Sequence, residues 1–161
     1  ALGDNGATVP SVHLALMPAP RPERLQPRLA AQFAEHWRVR DDVLRALEAL
    51  RKRGAIGAGL DADVALWTDD TALTAVLHAH AASLPRLFIV SRVEVAAAAG
   101  PEWQHGHTLP TLRLDVRPAR GRKCARCWNY TDDVDAGAAP TDVCQRCRNV
   151  MRGGAADAIS I

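Results

Sequence analysis

Cys124, Cys127, Cys144 and Cys147 are the four cysteines of the chain, set as C-x2-C, sixteen residues, C-x2-C. Two C-x-x-C knuckles at this separation suit a tetrahedral Zn²⁺, because each tight turn delivers two thiolates to one side of the ion. Four sulfurs leave no coordination position open, so one structural zinc is expected and not a catalytic one. A disulfide pairing needs an oxidising compartment, and the sequence shows no export signal. A thioredoxin-like redox pair needs one C-x-x-C opening a helix in a βαβ unit, and it leaves the second pair idle. The expectation is a closed, four-thiolate zinc ribbon.

The residues around the ligands carry further chemistry. From Arg117 to Thr131 the charges are Arg117, Arg120, Arg122, Lys123 and Arg126, without an acid among them, and Trp128 and Tyr130 follow the second cysteine. Four thiolates on Zn²⁺ leave a formal charge of about −2, so Lys123 and Arg126 can serve simply to compensate the sulfurs. Cations beside planar rings are also what phosphates and unstacked bases bind, by ion pairing and stacking. Trp128 fits either of two roles, a stacking face or a small core plugging a ribbon too short to bury much else. Spacing alone leaves both pairs of readings open. From Asp132 through Asp142 the hairpin between the knuckles holds four acids and no base, which repels duplex phosphate.

Other chemically suggestive residues weigh less. His105 and His107 stand two apart with no third ligand close in sequence, too few for a metal site. His13 is a lone histidine, expected to be a hydrogen-bonded structural residue, and His80 falls on the inward stripe of a helix as a core histidine. The glycine-rich GAIGAGLDAD lacks both the preceding strand and the following Lys-Ser/Thr of a phosphate-binding loop.

These groups must be positioned by a modest set of elements. Residues 1–22 carry Gly3, Asn5, Gly6 and four prolines and are expected to be an extended, partly mobile lead-in. From Pro27 to Arg53 the apolar residues Leu29, Phe33, Trp37, Leu44 and Leu47 recur at helical steps, with Arg40 on the same stripe and Val43 and Leu50 widening it. Gly54 follows the basic turn Arg51, Lys52, Arg53 as a C-terminal stop. So long a helix needs more than a short domain to cover it, as in a helical bundle. A strand is expected at Val64–Trp67. After it comes a helix capped by Asp69 or Asp70, with the stripe Leu73, Val76, Leu77, His80 and Leu84 and with His78 off it. The run Leu87–Val90 suits a central strand buried on both faces, extended by Val93 and Val95. Residues 96–108 read as a loop. Thr111–Arg117 alternates, with Leu112, Leu114 and Val116 on one face. The tail after Met151 is weakly structured by composition. The expected fold is α/β-mixed (α+β): a lead-in and long bundle-type helix over 1–57, a small β-α-β-β unit over 58–118, and the zinc ribbon and tail over 119–161.

Composition sets the frame. The 161 residues are 48% hydrophobic and 24% charged with a net charge of +2, ordinary for a globular protein and too small to announce nucleic acid except by local clustering. No apolar run approaches the roughly 18 residues of a membrane span, so no membrane partner and a cytoplasmic location are expected. A chain opening on Ala1 without methionine reads as a fragment or a processed product.

CARCWNYTDDV, with VCQRC and NV after it, resembles the zinc finger at the C-terminal end of bacterial-type isoleucyl-tRNA synthetases. A similar finger closes formamidopyrimidine-DNA glycosylases, but those carry a Gly after the second cysteine and an Arg near the hairpin tip, where this chain has Trp128 and acids. A Pro-Glu-type glycosylase start is also missing. SVHL, the W-x-x-R step of Trp37 and Arg40 leading to Lys52 and Ile56-Gly57, and GLDADVALW are similar to the end of the synthetase's anticodon-binding region. The resemblance spans roughly residues 11 to 150; the hairpin lacks a histidine found in some members. It implies a parent enzyme that joins isoleucine to its tRNA using ATP. This chain shows neither HIGH- nor KMSKS-type signatures, so by itself it is expected to bind no ATP and to catalyse nothing. The resemblance implies a tRNA-binding module that grasps the anticodon stem-loop of isoleucine tRNA, with the rest of the synthetase as its other partner. Arg126 and Trp128 are the foremost contact candidates, joined by Lys123, Arg122 and Arg40. For Arg40 a solvated or locally paired role stands equally open. A ribbon serving only as a structural clamp or protein-docking surface, and a glycosylase-type end piece, are the alternatives.

Overall fold

The computed structural model describes residues 11–14, 17, 19–135 and 139–152. The chain divides into two compact units, residues 1–31 and 32–161. In the first unit, short 3-10 turns at Val12–Leu14 and Pro22–Arg24 interrupt the lead-in, and His13 is exposed and not a packed structural residue. Residues 1–10 and the tail beyond 152 fall outside the described residues, as do the expectations made for them.

Helix α1 runs Pro27–Lys52, 26 residues or about 39 Å at 1.5 Å per residue. It stops where Gly54 takes φ +71. The Gly54 N–H donates to Arg51 O (2.9 Å) and the Ala55 N–H to Leu50 O (3.1 Å), the paired closure of a Schellman motif. The buried face is His36, Val39, Asp42, Val43, Ala46, Leu47 and Leu50. Of the expected stripe, Leu44 and Leu47 pack on the core, while Leu29, Phe33 and Trp37 are 41, 41 and 49% exposed, in keeping with a helix longer than this domain can cover. From His36 onward α1 meets the core, where Val39, Val43, Ala46, Leu47 and Leu50 pack with His36 and Asp42 buried beside them.

The second unit is built on a four-stranded sheet in the order β2-β1-β4-β3. Strand β1 (Ala62–Thr68) is central and lies parallel to β2 (Arg92–Val95). It pairs antiparallel with β4 (Leu112–Pro118) over seven positions, from Ala62↔Pro118 to Thr68↔Leu112. A two-residue strand β3 (Gln104–His105) adds to the far edge of β4. Between β1 and β2 come α2 (Thr71–Ala79) and α3 (Leu84–Phe88). Asp70 caps α2, its side chain accepting from the N–H groups of Ala72 (2.9 Å) and Leu73 (3.0 Å). Leu66, Leu77, Leu84, Phe88, Leu112, Leu114 and the buried α1 residues form one core.

The Leu87–Val90 run is not a strand. Pro85 sits in the first turn of α3, where its missing N–H costs nothing, and Ile89 at φ +59 ends the helix. Phe88 and Val90 are buried on either side of that turn, so the run is apolar without being extended. A four-residue apolar stretch fits a buried helix end as well as a strand. The parallel partner of β1 lies a few residues later, where Val93 and Val95 stand. Leu84 belongs to α3, while Leu73 and Leu77 carry the buried face of α2.

Buried Asp42 organises the loop before β4. Its carboxylate accepts from the N–H groups of His107 (2.8 Å), Thr108 (2.7 Å) and Leu109 (3.0 Å). A Cβ at Gly106 would lie 2.5 Å from Asp42 Oδ2, so that position has no room for a side chain.

Candidate metal centre and nucleic-acid interface

The finger begins where β4 ends. Strand β5 (Arg122–Lys123) pairs antiparallel with β6 (Tyr130–Thr131), and the first knuckle is the turn between them. The Cys124 N–H donates to Asn129 O and the Trp128 N–H to Cys124 O, both at 2.9 Å, closing that turn. The second knuckle leads into α4 (Gln145–Met151), which Cys144 precedes directly. The Ala125 N–H donates to Asp142 O (3.0 Å), tying one knuckle to the other.

The four sulfurs lie within 4.8 Å of one another, and Cys127 Sγ stands 3.8 Å from Cys144 Sγ. Tetrahedral thiolates at about 2.3 Å from zinc stand about 3.8 Å apart, so the spacing is that of a coordination shell. All four are free thiols in this geometry, so no disulfide forms. Cys124, Cys144 and Cys147 are buried and Cys127 is half-buried. The Cys144 N–H points at Cys124 Sγ (3.3 Å), Arg126 Nη1 at Cys147 Sγ (3.7 Å) and Asn129 Nδ2 at Cys127 Sγ (3.7 Å). This is the outer set of donors that negative sulfurs require.

Without a cation the thiols disagree about their protons. Burial raises the Cys124 thiol, but the N–H groups of Cys127, Cys144 and Arg126 outweigh it and hold the thiol at about 6. Burial pushes Cys144 up to about 12, and it also raises Cys127. A divalent cation is held by thiolates, so binding one displaces the protons that burial keeps on Cys127 and Cys144. The donor set is that of a soft, four-thiolate site.

The other residues singled out by sequence fall as follows. Trp128 is 62% exposed at φ +65, which rules out the core-plug role. Val134 and Val143 fill the space between the knuckles instead. Arg126 is exposed and reaches a ligand sulfur, as charge compensation requires. Lys123 Nζ pairs with Asp61 Oδ1 (3.3 Å) and lies 5.8 Å from the Tyr130 ring centre. Arg122 pairs with Asp135 of the hairpin. Arg40 stands apart on α1, its Nε donating to Leu87 O (3.0 Å) and its guanidinium 5.4 Å from the Trp37 ring centre. His105 Nδ1 donates to Pro110 O (3.1 Å) and its ring contacts Arg113, while the His107 N–H donates to Asp42. Among the described residues, the four cysteines are the group with metal-ligating geometry.

Sequence reasoning missed Arg148. Its guanidinium is buried, 2% exposed, and donates to Val143 O, to Asp133 O (2.9 Å) and to Gln145 Oε1 (3.3 Å). It satisfies the carbonyls of the loop that bears Cys144. An arginine one residue past the last cysteine gives no sequence signal that separates it from a surface cation.

Residues 121–150 match the family described as "Zinc finger found in FPG and IleRS". The isoleucine–tRNA ligase of Desulforudis audaxviator is 39% identical over 153 residues, covering 92% of this chain and 16% of that protein. Those of Geobacter sulfurreducens and Thermotoga maritima are 36% and 35% identical, covering 88% and 89% of this chain and 15% of each ligase. The chain thus spans about a sixth of the length of the curated relatives it matches. The similarity runs through the helix and sheet as well as the finger, and the chain belongs with the isoleucine–tRNA ligases as a C-terminal region carrying their zinc finger.

Proposed function

We propose that the chain is the tRNA-binding module of an isoleucine–tRNA ligase, with one structural Zn²⁺ on Cys124, Cys127, Cys144 and Cys147. The parent enzyme would ligate isoleucine to its tRNA with ATP in the cytoplasm. This segment would contribute grip on the anticodon stem-loop and no chemistry. In that division residues 1–57 supply a bundle helix, 58–118 a small spacer domain and 119–161 the RNA-reading finger. The single observation that carries the reading is Trp128: a large aromatic, 62% exposed, fixed at φ +65 by the knuckle beside exposed Arg126. Holding its backbone rigid lowers the entropy cost of presenting a stacking face. An unstacked loop base can lie on that face while Arg126, Arg122 and Lys123 approach phosphates; duplex DNA offers no such base. Arg40 serves by bracing the last turn of α3 through Leu87.

The test compares wild type with Trp128→Ala on isoleucine tRNA, on its anticodon stem-loop and on duplex DNA, with zinc content measured in parallel. Stacking is worth about 1–3 kcal/mol per base, so loop affinity should fall about tenfold or more at unchanged zinc. Normal binding by the variant, or equal affinity of wild type for duplex DNA, defeats the reading. The clamp alternative has one observation in its favour, the turn of Arg126 toward Cys147 Sγ, and it expects Arg126→Ala to lose metal before it loses RNA.

A further inference from the structure

A cleft of about 510 Å³ opens beside the knuckle. Pro85, Arg86, Ile89 and Val90 of α3 and its following turn line one wall, and Cys127, Asn129, Cys144 and Arg146 of the finger line the other. Two features of this cleft are unexplained by folding.

The first is charge. Some exposed arginines of this chain have a carboxylate, Arg38 with Glu35 and Arg51 with Glu48, and others such as Arg28 and Arg45 have none among the described residues, so what marks this cleft is a cation on each of two opposite walls. Arg86 and Arg146 are exposed, face the cleft from opposite walls, and have no such partner among the described residues. The one acid in the lining, Asp133, is engaged by the Gln145 N–H (2.7 Å).

The second is Ile89. It takes φ +59 while 55% exposed, although a β-branched side chain is disfavoured in that region and Gly or Asn is the usual choice after a helix. The turn is closed by the Val90 N–H donating to Pro85 O (3.0 Å) and packs so tightly on Gly59 that a Cβ there would lie 2.6 Å from Ile89 O. Packing explains the φ; it does not explain an isoleucine that hides only part of its surface. Strained residues at clefts are candidates for function.

We propose that this cleft binds a single-stranded RNA segment, its phosphodiester between Arg86 and Arg146 and an unstacked base on the Ile89 side chain. The RNA path thereby extends from the knuckle onto α3. The proposal rests on the tRNA-binding reading and adds a second contact surface to it. A duplex keeps its bases paired and cannot lay one on Ile89. An acidic peptide would use the arginines and leave the apolar shelf idle.

The experiment uses the full 161-residue chain loaded with zinc. Its probes are a fluorescent anticodon stem-loop of isoleucine tRNA and an unstructured RNA oligonucleotide, titrated at several salt concentrations. Arg86→Ala/Arg146→Ala should fold and hold zinc normally, since both side chains are exposed and unpaired. Affinity should fall at least about tenfold. The slope of log affinity against log salt should drop by about 1.4, two contacts at about 0.7 each for single strands. Ile89→Asn keeps a residue tolerant of positive φ and removes the apolar shelf, and it should weaken binding at unchanged slope. If wild type binds and the double variant shows the same affinity and slope, the cleft is not an RNA site, while the knuckle reading stands. If wild type does not bind the stem-loop, both fail. Competition by poly-glutamate as effective as by the RNA oligonucleotide overturns the assignment to nucleic acid.

Discussion

At the residue scale the chemistry is concentrated in five side chains, four sulfurs and one indole. Replacing any of Cys124, Cys127, Cys144 or Cys147 by Ser removes a quarter of a closed shell, and zinc stoichiometry by elemental analysis should fall from one toward zero. His105→Ala and His107→Ala should leave it at one, because His105 lies in β3 against Pro110 and Arg113, and His107 gives its backbone N–H to Asp42. Trp128 supports a sharper separation. At φ +65 a glycine is at ease where a tryptophan is strained by about 1–2 kcal/mol. Trp128→Gly should therefore keep the finger's thermal midpoint or raise it, while loop binding falls at least about tenfold; a lowered midpoint would restore a packing role for the indole. The sulfurs were fully legible in the sequence, because spacing alone brings two knuckles together. Arg148 and Asp42 were not: their partners are backbone groups 5 to 67 positions away, and no side-chain pattern announces a backbone partner.

At the element scale, alternation served better than apolar runs. β4 was readable because Leu112, Leu114 and Val116 face the core in strict alternation, and the α2 cap because Asp70 has the right acceptor one residue before the helix. The Leu87–Val90 run failed because a four-residue apolar stretch around a helix end, with Phe88 and Val90 buried, looks like a buried strand. The first half of α1 is helical as its periodicity indicates, and its stripe stays exposed because periodicity reports where apolar residues lie and not what covers them. The 3-10 turn Gly59–Asp61 gives this scale its test. Asp61 accepts from the N–H groups of Ala58 (2.8 Å) and Gly57 (3.1 Å). The Ala58 N–H, with Lys123 and the Gly57 N–H and against the opposing effect of burial, holds its carboxyl below the ordinary 3.8. A depressed folded value means the contribution is present above 3.8 and fades as pH falls below it. Asp61→Ala should cost about 1 kcal/mol at neutral pH, read as a shift in the urea midpoint, and the gap to wild type should narrow in acid below that value. A gap independent of pH would mean the charge contributes nothing.

At the scale of the whole molecule, the finger is joined to the sheet by a polar seam. The Ser91 hydroxyl donates to Leu60 O and accepts from the Tyr130 N–H (2.7 Å), Arg92 pairs with Asp132 (3.0 Å), and the Ala119 N–H donates to Asp61 O (2.8 Å). The finger's own core is small and includes the cysteines themselves, whereas the core shared by the sheet and the helices packed on it holds eighteen buried apolar residues among those described. Chelation should accordingly melt residues 121–150 alone: amide exchange there should rise, and the protection of β1 and β4 should survive. Simultaneous loss of both would show one cooperative unit. Among the described residues no helix is long and apolar enough to cross a membrane. The carboxylate clamp at Asp42 has a practical corollary. It fixes the chain at 107–109 independently of the path by which the chain arrives, so the exposed stretch at Ala97 and Ala98 upstream is free to change length. A short tag or fluorophore-bearing peptide inserted between Ala97 and Ala98 should leave zinc content and the thermal midpoint at wild-type values, giving a handle for following RNA capture from just beyond the end of β2.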